Sequence, residues 1–128
     1  MRIFKTKAFA RFGNKAGIGD AELCQSIRDA GQGLIAANLG GGVIKQRIAR
    51  PGQGKSGGFR ALIVVRAGAR AFFVHGFAKK EMDNITEDEL VAVKRLASEL
   101  LSYDDKTIAR VVASGTLIEV RCDEKAIP

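Results

Sequence analysis

The sequence predicts an α+β fold, in which two N-terminal helices pack on a twisted antiparallel sheet and additional helices follow at the C-terminus. The first observation is that apolar residues recur with a helical period, then alternate, and then return to a helical period. The second is that glycine-rich turns separate the alternating segments. The third is the length, because 128 residues with 46% hydrophobic content predict one domain and one core, spanning residues 1–128.

The first half of the chain contains signals for a strand, two helices and a hairpin. Phe9 and Phe12 lie on one face of the first predicted helix, and Asp20 is a favourable N-cap for the second. The apolar residues of the second helix that we expect to face the core are Leu23, Ile27, Ala30 and Leu34. The predicted elements are a strand at 2–5, helices at 7–16 and after Asp20, and a hairpin at 36–50 with its turn at Gly40–Gly42.

The second half of the chain contains a predicted loop, two strong strands and two helices. Residues 51–58 predict a loop, because their glycines and their proline disfavour regular structure. Thr86 and Glu89 form a Thr-x-x-Glu capping box that predicts the start of a long helix. The remaining predicted elements are strands at 59–66 and 71–78 joined by a turn at 67–69, a helix at 105–113 and a last strand at 117–121.

Positive charge is concentrated in one part of the chain. The net charge is +7, but residues 1–80 carry 15 Lys or Arg against three carboxylates, while residues 81–128 carry six against eleven. Between Gly31 and Lys80 there are nine basic residues and no carboxylate. Unopposed cations repel each other, so this pattern favours a nucleic acid or an acidic protein partner over a merely solvated basic surface.

Several classes of protein are disfavoured by the composition. No apolar run approaches the ~18 residues of a membrane span, and the N-terminus does not resemble a signal peptide. Cys24 and Cys122 are far apart without a Cys-x-x-Cys motif, so we expect two buried free thiols in a reducing cytoplasm. No cofactor is expected, and no metal either, because the sequence supplies no three clustered ligands.

The segment from Gly54 to Ser56 resembles part of a phosphate-binding loop. That motif needs an earlier glycine where this chain has Ala49, and a helix where we predict a strand, so the nucleotide-binding interpretation fails. The Gly-x-x-Gly clamp of KH domains fails too, since that clamp joins two helices. Two interpretations stay open: a plain hairpin connection, or a flexible loop that brings Lys55 to a phosphate.

Cationic residues flank the two central strands. Arg60 and Arg66 lie on one side of their strand with apolar residues between them, which fits either a half-buried face or the floor of a basic groove. His75, the only histidine, alternates with Phe73 and Phe77, where a core role is more typical than catalysis.

Lys79 and Lys80 end the second strand beside Lys55 and Arg60, and they form either a solvated strand end or part of a converging cationic cluster. Such a cluster can stabilise a pentacoordinate phosphorane. A lysine among like charges can also accept a proton near neutral pH, because its pKa falls.

Two motifs carry a family resemblance. With Lys-Ser-Gly-Gly-Phe-Arg at 55–60, His-Gly-Phe-Ala-Lys-Lys at 75–80 and the helix that follows Ile85, the sequence resembles the RelE/HigB-like toxins of type II toxin–antitoxin systems, in the RelE/ParE superfamily. The resemblance covers about residues 2–101, which implies a common core and an extension at 102–128. It implies a microbial RNase fold and ribosome-dependent cleavage of mRNA in the cytoplasm.

The resemblance also implies roles for individual residues. The RNA 2′-hydroxyl attacks the adjacent phosphate without a metal, and Lys and Arg replace the histidines of better-known RNases. Arg60 then stabilises the phosphate, Lys55 accepts the proton, and Lys79 or Lys80 holds the backbone or protonates the leaving oxygen. The residues expected to bind flanking RNA are Lys45, Arg47, Arg50, Arg66, His75 and Phe77.

Partners and alternatives follow from the same resemblance. It implies a cognate antitoxin, expected to be a helix-turn-helix protein from the adjacent gene, with an acidic or amphipathic segment over the basic groove. One alternative is a non-enzymatic ParE-like toxin that binds DNA gyrase, and another is an inactive RNA-binding homologue. Some RelE-type toxins stack a C-terminal tyrosine on a base, but the only tyrosine here is Tyr103, which we expect to be out of reach.

Overall fold

The computed structural model describes residues 1–50, 54–66, 68–78 and 85–122, and for residues 50 and 54–57 it describes the backbone only. Strands and helices alternate in blocks along these ranges. The elements are β1 Arg2–Thr6, α1 Lys7–Ala16, α2 Asp20–Gly31, β2 Ala37–Gly40, β3 Val43–Arg50, β4 Gly54–Arg66, β5 Arg70–Ala78, α3 Glu87–Leu101, α4 Asp105–Ala113 and β6 Leu117–Glu119.

The strands of the described residues form one mixed sheet in the order β2-β3-β4-β5-β1-β6. The expected all-antiparallel sheet is therefore wrong at one point, because β1 runs parallel to β5 with Ile3 opposite Ala71. The strand predicted at 2–5 is present as β1, which precedes the two N-terminal helices and lies between β5 and β6. A parallel pair needs a long crossover, and here the crossover contains both N-terminal helices and three strands.

Helices cover both faces of the sheet, so the prediction of helices on one face is also wrong. We name the face under α1 and α2 the back face; its core includes Phe9, Leu23 and Phe73. We name the face under α3 and α4 the front face; its core includes Leu62 and Leu100. Residues 61–64 are fully buried, as expected for a strand that is covered on both sides.

Local signals set the helix ends. The hydroxyl of Thr6 accepts a hydrogen bond from the Phe9 backbone N–H at 3.1 Å, and α1 ends at Gly17, whose φ of 74° favours glycine. The predicted Thr86–Glu89 capping box is confirmed at the start of α3. Asp20 is not the N-cap of α2, because Gly19 occupies that position.

The predicted loop at 51–58 and the expected burial of Leu34 both differ from the structure. β4 begins at Gly54, so glycines expected in a loop are part of a long strand paired with β3. Residues 51–53 lie outside the described ranges. Leu34 follows the end of α2 and is 57% exposed instead of facing the core.

The two cysteines are joined by a disulfide, so the prediction of free thiols is wrong. Cys24 and Cys122 have Cα atoms 5.8 Å apart despite a sequence separation of 98. The chain after β6 returns to the back face, where the Val120 N–H donates to the Ile3 carbonyl at 2.8 Å and the Arg121 N–H donates to Asp20 Oδ2 at 2.9 Å. These contacts bring the C-terminal segment against α2.

No helix within the described ranges combines the length and the apolar character that a membrane span requires.

Candidate active site

A group of cations meets at one corner of the front face. Arg47 of β3 lies directly opposite Arg60 of β4, and Lys45 lies opposite Leu62 in the next row. Directly opposed side chains in a sheet are about 5 Å apart at their Cβ atoms. We name Lys45, Arg47 and Arg60 the cationic corner.

The cationic corner is accessible because α3 crosses the front face beside it. Glu89 and Val93 of α3 lie near His75, whereas the end of α3 reaches the opposite side, where Leu101 packs against Gly42. As a result Arg47 is exposed, and Lys45 and Arg60 are half-buried. The side chains therefore sit at the edge of the apolar core with their charged ends open to solvent.

The cations of the corner repel one another. Partial burial lowers the pKa of Arg60, and the positive charge of Arg47 lowers it further. In the described ranges, none of the three cations forms a salt bridge with a carboxylate. A bound anion would relieve this repulsion, and guanidinium groups suit phosphate because they donate two parallel hydrogen bonds.

Gln46 holds the backbone beneath the corner and was missed by the sequence analysis. Its Nε2 donates to the carbonyls of Ser26 and Leu34 at 2.9 and 2.8 Å, while its Oε1 accepts from the Arg47 N–H at 2.9 Å. The residue is 2% exposed, so this network ties β3 to the end of α2. The sequence feature that could have identified Gln46 is its position as a single amide between Ile44 and Ile48 on an otherwise apolar strand face.

Gly76 supports the same region from behind. A Cβ atom at this position would clash with the Phe12 ring, which packs directly on the strand backbone. Phe12 also contacts Phe59 edge-on, with ring centroids 5.5 Å apart. The glycine between His75 and Phe77 is therefore explained by close packing of α1 on β5.

A β-bulge changes the expected orientation of His75. Leu62 pairs with His75 but Ile63 pairs with Phe73, so Val74 is the extra residue. The expectation that His75 shares a face with Phe73 is wrong, because His75 and Phe77 lie on the front face, with ring centroids 5.8 Å apart. Phe77 lies opposite Arg60 and is 6% exposed, so it forms part of the floor of the corner.

Two arginines of the basic segment lie elsewhere. Arg66 is exposed at the far end of β4, six residues or about 20 Å from Arg60, and the structure does not bring it to the corner. Arg70 is buried there, and it donates to the Tyr103 carbonyl at 2.6 Å and binds the Asp105 carboxylate. The Tyr103 hydroxyl donates to Glu99 at 3.1 Å, and burial raises the pKa of Tyr103.

Other predicted site residues lie partly or wholly outside the described part of the chain. Lys55 belongs to β4 and Arg50 to β3, where Arg50 pairs with Gly54, but the description of both is limited to the backbone. Lys79 and Lys80 fall outside the described ranges. Their roles stay predictions.

A match to a protein-family model identifies the family of the chain. The family model described as the RelE toxin of the RelE / RelB toxin-antitoxin system matches residues 1–120. The chain belongs to the RelE toxin family. A RelE-family toxin acts within a toxin–antitoxin system and has an antitoxin partner. Comparison with curated proteins and comparison with solved structures give no match.

Proposed function

We propose that this RelE-family toxin is an endoribonuclease that cleaves messenger RNA on the ribosome. The observation that carries the proposal is the cationic corner, in which Arg47 and Arg60 face each other without a salt-bridge partner in the described residues. A phosphodiester provides the negative charge that this arrangement lacks. The family supports the toxin function, and the corner supports RNA as the target.

The proposed reaction is a metal-independent transesterification. The 2′-hydroxyl oxygen attacks the adjacent phosphorus, an O2′–P bond forms, and the P–O5′ bond breaks. Arg60 donates hydrogen bonds to the nonbridging oxygens as their charge grows. Lys55 is proposed to accept the 2′-hydroxyl proton, and Lys79 or Lys80 to supply a proton to the leaving 5′ oxygen.

Residues around the corner are proposed to hold the flanking RNA. Lys45 and Arg47 bind neighbouring phosphates, and Arg50 extends this path along β3. Phosphate contacts of this kind make binding strongly dependent on salt. A ribosomal target implies a cytoplasmic site of action, where the Cys24–Cys122 disulfide would have to persist against reduction.

The antitoxin is proposed to cover the same surface. An acidic or amphipathic segment laid over Arg47 and Arg60 would neutralise the corner and exclude RNA. We expect this antitoxin to be a helix-turn-helix protein encoded by the adjacent gene. Binding of toxin and antitoxin would then weaken with rising salt.

A translation assay tests the proposal. Purified toxin is added to ribosomes that translate a defined message, and primer extension maps new 5′ ends. Wild-type protein should cut the message, Arg60→Ala should not, and Lys106→Ala is the matched control because Lys106 is an exposed cation on α4. Intact messages together with DNA breaks in cells would instead indicate a ParE-like toxin that acts on gyrase.

A further inference from the structure

The disulfide links α2 to the last part of the described chain. Cys24 lies in the second turn of α2, and Cys122 is the last described residue. We name residues 120–122 the tail segment; it follows β6 and has no regular secondary structure. Both cysteines contact the apolar core of the back face. The S–S bond is thus a covalent attachment of an irregular segment to a helix.

Noncovalent contacts also hold the tail segment in place. The Val120 N–H donates to the Ile3 carbonyl at 2.8 Å, and the Arg121 N–H donates to Asp20 Oδ2 at 2.9 Å. The Val120 side chain is buried in the back-face core. None of these contacts involves a sulfur atom, so all of them remain available when the disulfide is open.

The surroundings of Cys24 also suit a reduced sulfur. Its Sγ lies 3.7 Å from the Arg121 carbonyl oxygen, which can accept a weak hydrogen bond from a thiol. Cys24 is 1% exposed, and a neutral thiol in such a position packs like a small apolar side chain. The back face therefore accommodates Cys24 in either oxidation state.

The two cysteines differ in how readily a reductant reaches them. Cys24 is fixed in a packed helix, whereas Cys122 is half-buried and lies in the tail segment. A short segment held by few backbone hydrogen bonds opens locally more readily than a core element. Such an opening carries the Cys122 sulfur toward solvent while Cys24 stays in α2. Exchange with an external thiol therefore begins at Cys122.

For a protein in a reducing compartment, the alternative to a disulfide that persists is one that opens and closes. We propose that Cys24 and Cys122 form a reversible redox switch that controls the attachment of the tail segment to α2. The oxidised state fastens the segment covalently. The reduced state leaves it to its noncovalent contacts, so it detaches more often. This inference goes beyond the proposed function and does not depend on RNA cleavage.

The opening reaction is thiol–disulfide exchange with glutathione. The thiolate sulfur of one glutathione attacks the Cys122 Sγ, a new S–S bond forms between them, and the bond from Cys122 to Cys24 breaks. Cys24 leaves as a thiolate and takes a proton from water. A second glutathione thiolate attacks the glutathione sulfur of this mixed disulfide, and Cys122 leaves as a thiolate. Two glutathiones are thereby oxidised to one glutathione disulfide, and the protein disulfide gains two electrons.

Opening of the switch should weaken the fold without abolishing it. The bond closes a ring across a sequence separation of 98, and a cross-link of this span restricts the unfolded chain. The packing of α1 and α2 on the sheet does not depend on the bond, because it involves buried residues such as Phe9, Leu23 and Phe73. The equilibrium constant for unfolding should rise about 10²-fold in the reduced protein.

The first measurement asks whether the folded protein exchanges. The full chain is incubated with an excess of reduced glutathione, and free thiols are counted by alkylation and mass spectrometry while circular dichroism follows the fold. Both cysteines should become alkylated in folded protein, and oxidised glutathione should restore the bond. Cys122→Ser is the matched control, because it lacks the disulfide and should respond to glutathione in neither its fold nor its stability.

The second measurement asks whether reduction releases the tail segment. Amide hydrogen exchange followed by NMR compares oxidised and reduced wild-type protein. The amides of Val120 and Arg121 should exchange about tenfold faster or more after reduction, because their hydrogen bonds open more often. The amides of α4, on the other face of the sheet, should change less. Reduced wild-type protein is measured directly, so the test does not require Cys122→Ser to fold.

Three results would overturn the switch. They are a disulfide that excess glutathione leaves intact in folded protein, a reduced protein that has lost its fold, and equal exchange at Val120 and Arg121 in the two states. The cleavage assay keeps these outcomes distinct from the proposed function. Cleavage by a protein whose disulfide never opens removes the switch alone, whereas an opening disulfide without cleavage removes the enzymatic activity alone.

Discussion

The arginines at the two ends of the sheet differ in whether a carboxylate lies against them. At one end, Arg2 donates to the Glu119 carboxylate at 2.9 and 3.1 Å, and Arg70 binds Asp105. At the other end, Arg47 and Arg60 face each other, and the described residues place no carboxylate against them. The same residue type thus stabilises the fold at one end and leaves an open positive surface at the other.

The arginines of the two ends differ because the carboxylates that pair with them, in α4 and β6, lie at only one end of the sheet. Residues 81–128 carry eleven of the fourteen carboxylates, and those in α4 and β6 meet the arginines of only one end of the sheet. Arg70 belongs to the carboxylate-free segment as much as Arg60 does. Charge counts along the sequence therefore overstate the functional surface, and the positions of the counter-ions in space define it.

We call the end of the sheet that contains Arg47 and Arg60 the open end, and the end that contains Arg2 and Arg70 the paired end. The largest expected effect is on the cleavage activity of the open end. Arg60→Ala should lower the rate of message cleavage about 10²–10³-fold, because it removes a donor to the charge that develops on the phosphate. The rate is measured by primer extension in single-turnover assays with translating ribosomes.

The same variant should leave the fold intact, which separates this end from the paired end. Lys106→Ala is the control and should cleave like wild type, since Lys106 is exposed on α4. If Arg60→Ala unfolded the protein, or cleaved at the wild-type rate, the two ends would not differ in the way described.

The next effect is on stability at the paired end. Arg70→Ala should lower the free energy of unfolding by about 1.5–3 kcal/mol, because it removes a charged donor from the Tyr103 carbonyl and from Asp105. Urea denaturation followed by circular dichroism measures the change. Asp105→Asn should lose less, since the Asp105 side chain is 96% exposed. A loss of cleavage in folded Arg70→Ala protein would contradict a purely structural role.

A packing change tests whether the open end depends on shape as well as charge. Gly76→Ala places a methyl group against the Phe12 ring and should lower the free energy of unfolding by about 1–3 kcal/mol, without altering any charge. Phe12→Leu should restore part of the loss by making room. Equal stability of wild type and Gly76→Ala would show that α1 does not pack on β5 as closely as described.

A smaller effect is expected from relieving repulsion in the corner. Arg47→Gln should raise the free energy of unfolding by about 0.5 kcal/mol at low salt, because like charges directly opposite in a sheet are destabilising. The gain should vanish near 1 M salt, where screening is effective within about 3 Å. A lower stability in this variant would reveal a favourable partner for Arg47.

The smallest effect concerns pH at the paired end. The hydrogen bond from Arg2 holds the pKa of Glu119 below its ordinary value of 4.5, so the folded state binds this proton less tightly than the unfolded state. The resulting stability is present above about pH 4.5 and is lost as pH falls through the lower folded value. The pair is partly exposed, so we expect about 0.2–1 kcal/mol. Arg2→Gln should remove this part of the acid dependence in urea titrations.

Elements with strong local signals were predictable from the sequence. The predicted helices at 7–16 and 105–113 coincide with α1 and α4, and the Thr86–Glu89 box marks the start of α3. The two central strands and the glycine turn between β2 and β3 are also confirmed. These features depend on residues within a few positions of one another, which is where sequence patterns are informative.

Features that depend on distant residues were not predictable. The parallel pairing of β1 with β5 joins residues about 68 positions apart, and no local pattern specifies it (Arg2 with Arg70). A single extra residue at Val74 moves His75 to the other face, because side chains alternate along a strand. Strand alternation puts Lys45 and Arg47 on one face, as in the structure, but the sequence could not show that Arg60 lies opposite Arg47 or that Arg66 and Arg70 lie elsewhere.

The disulfide has a consequence for how the chain survives proteolytic cleavage. Cys24 and Cys122 close a covalent ring that contains everything from the middle of α2 to the segment after β6. A protease that cuts one peptide bond inside this ring opens it without releasing a fragment, so the nicked protein migrates as a single species until a reductant is added. Proteolysis within the ring therefore does not by itself separate Arg47 from Arg60.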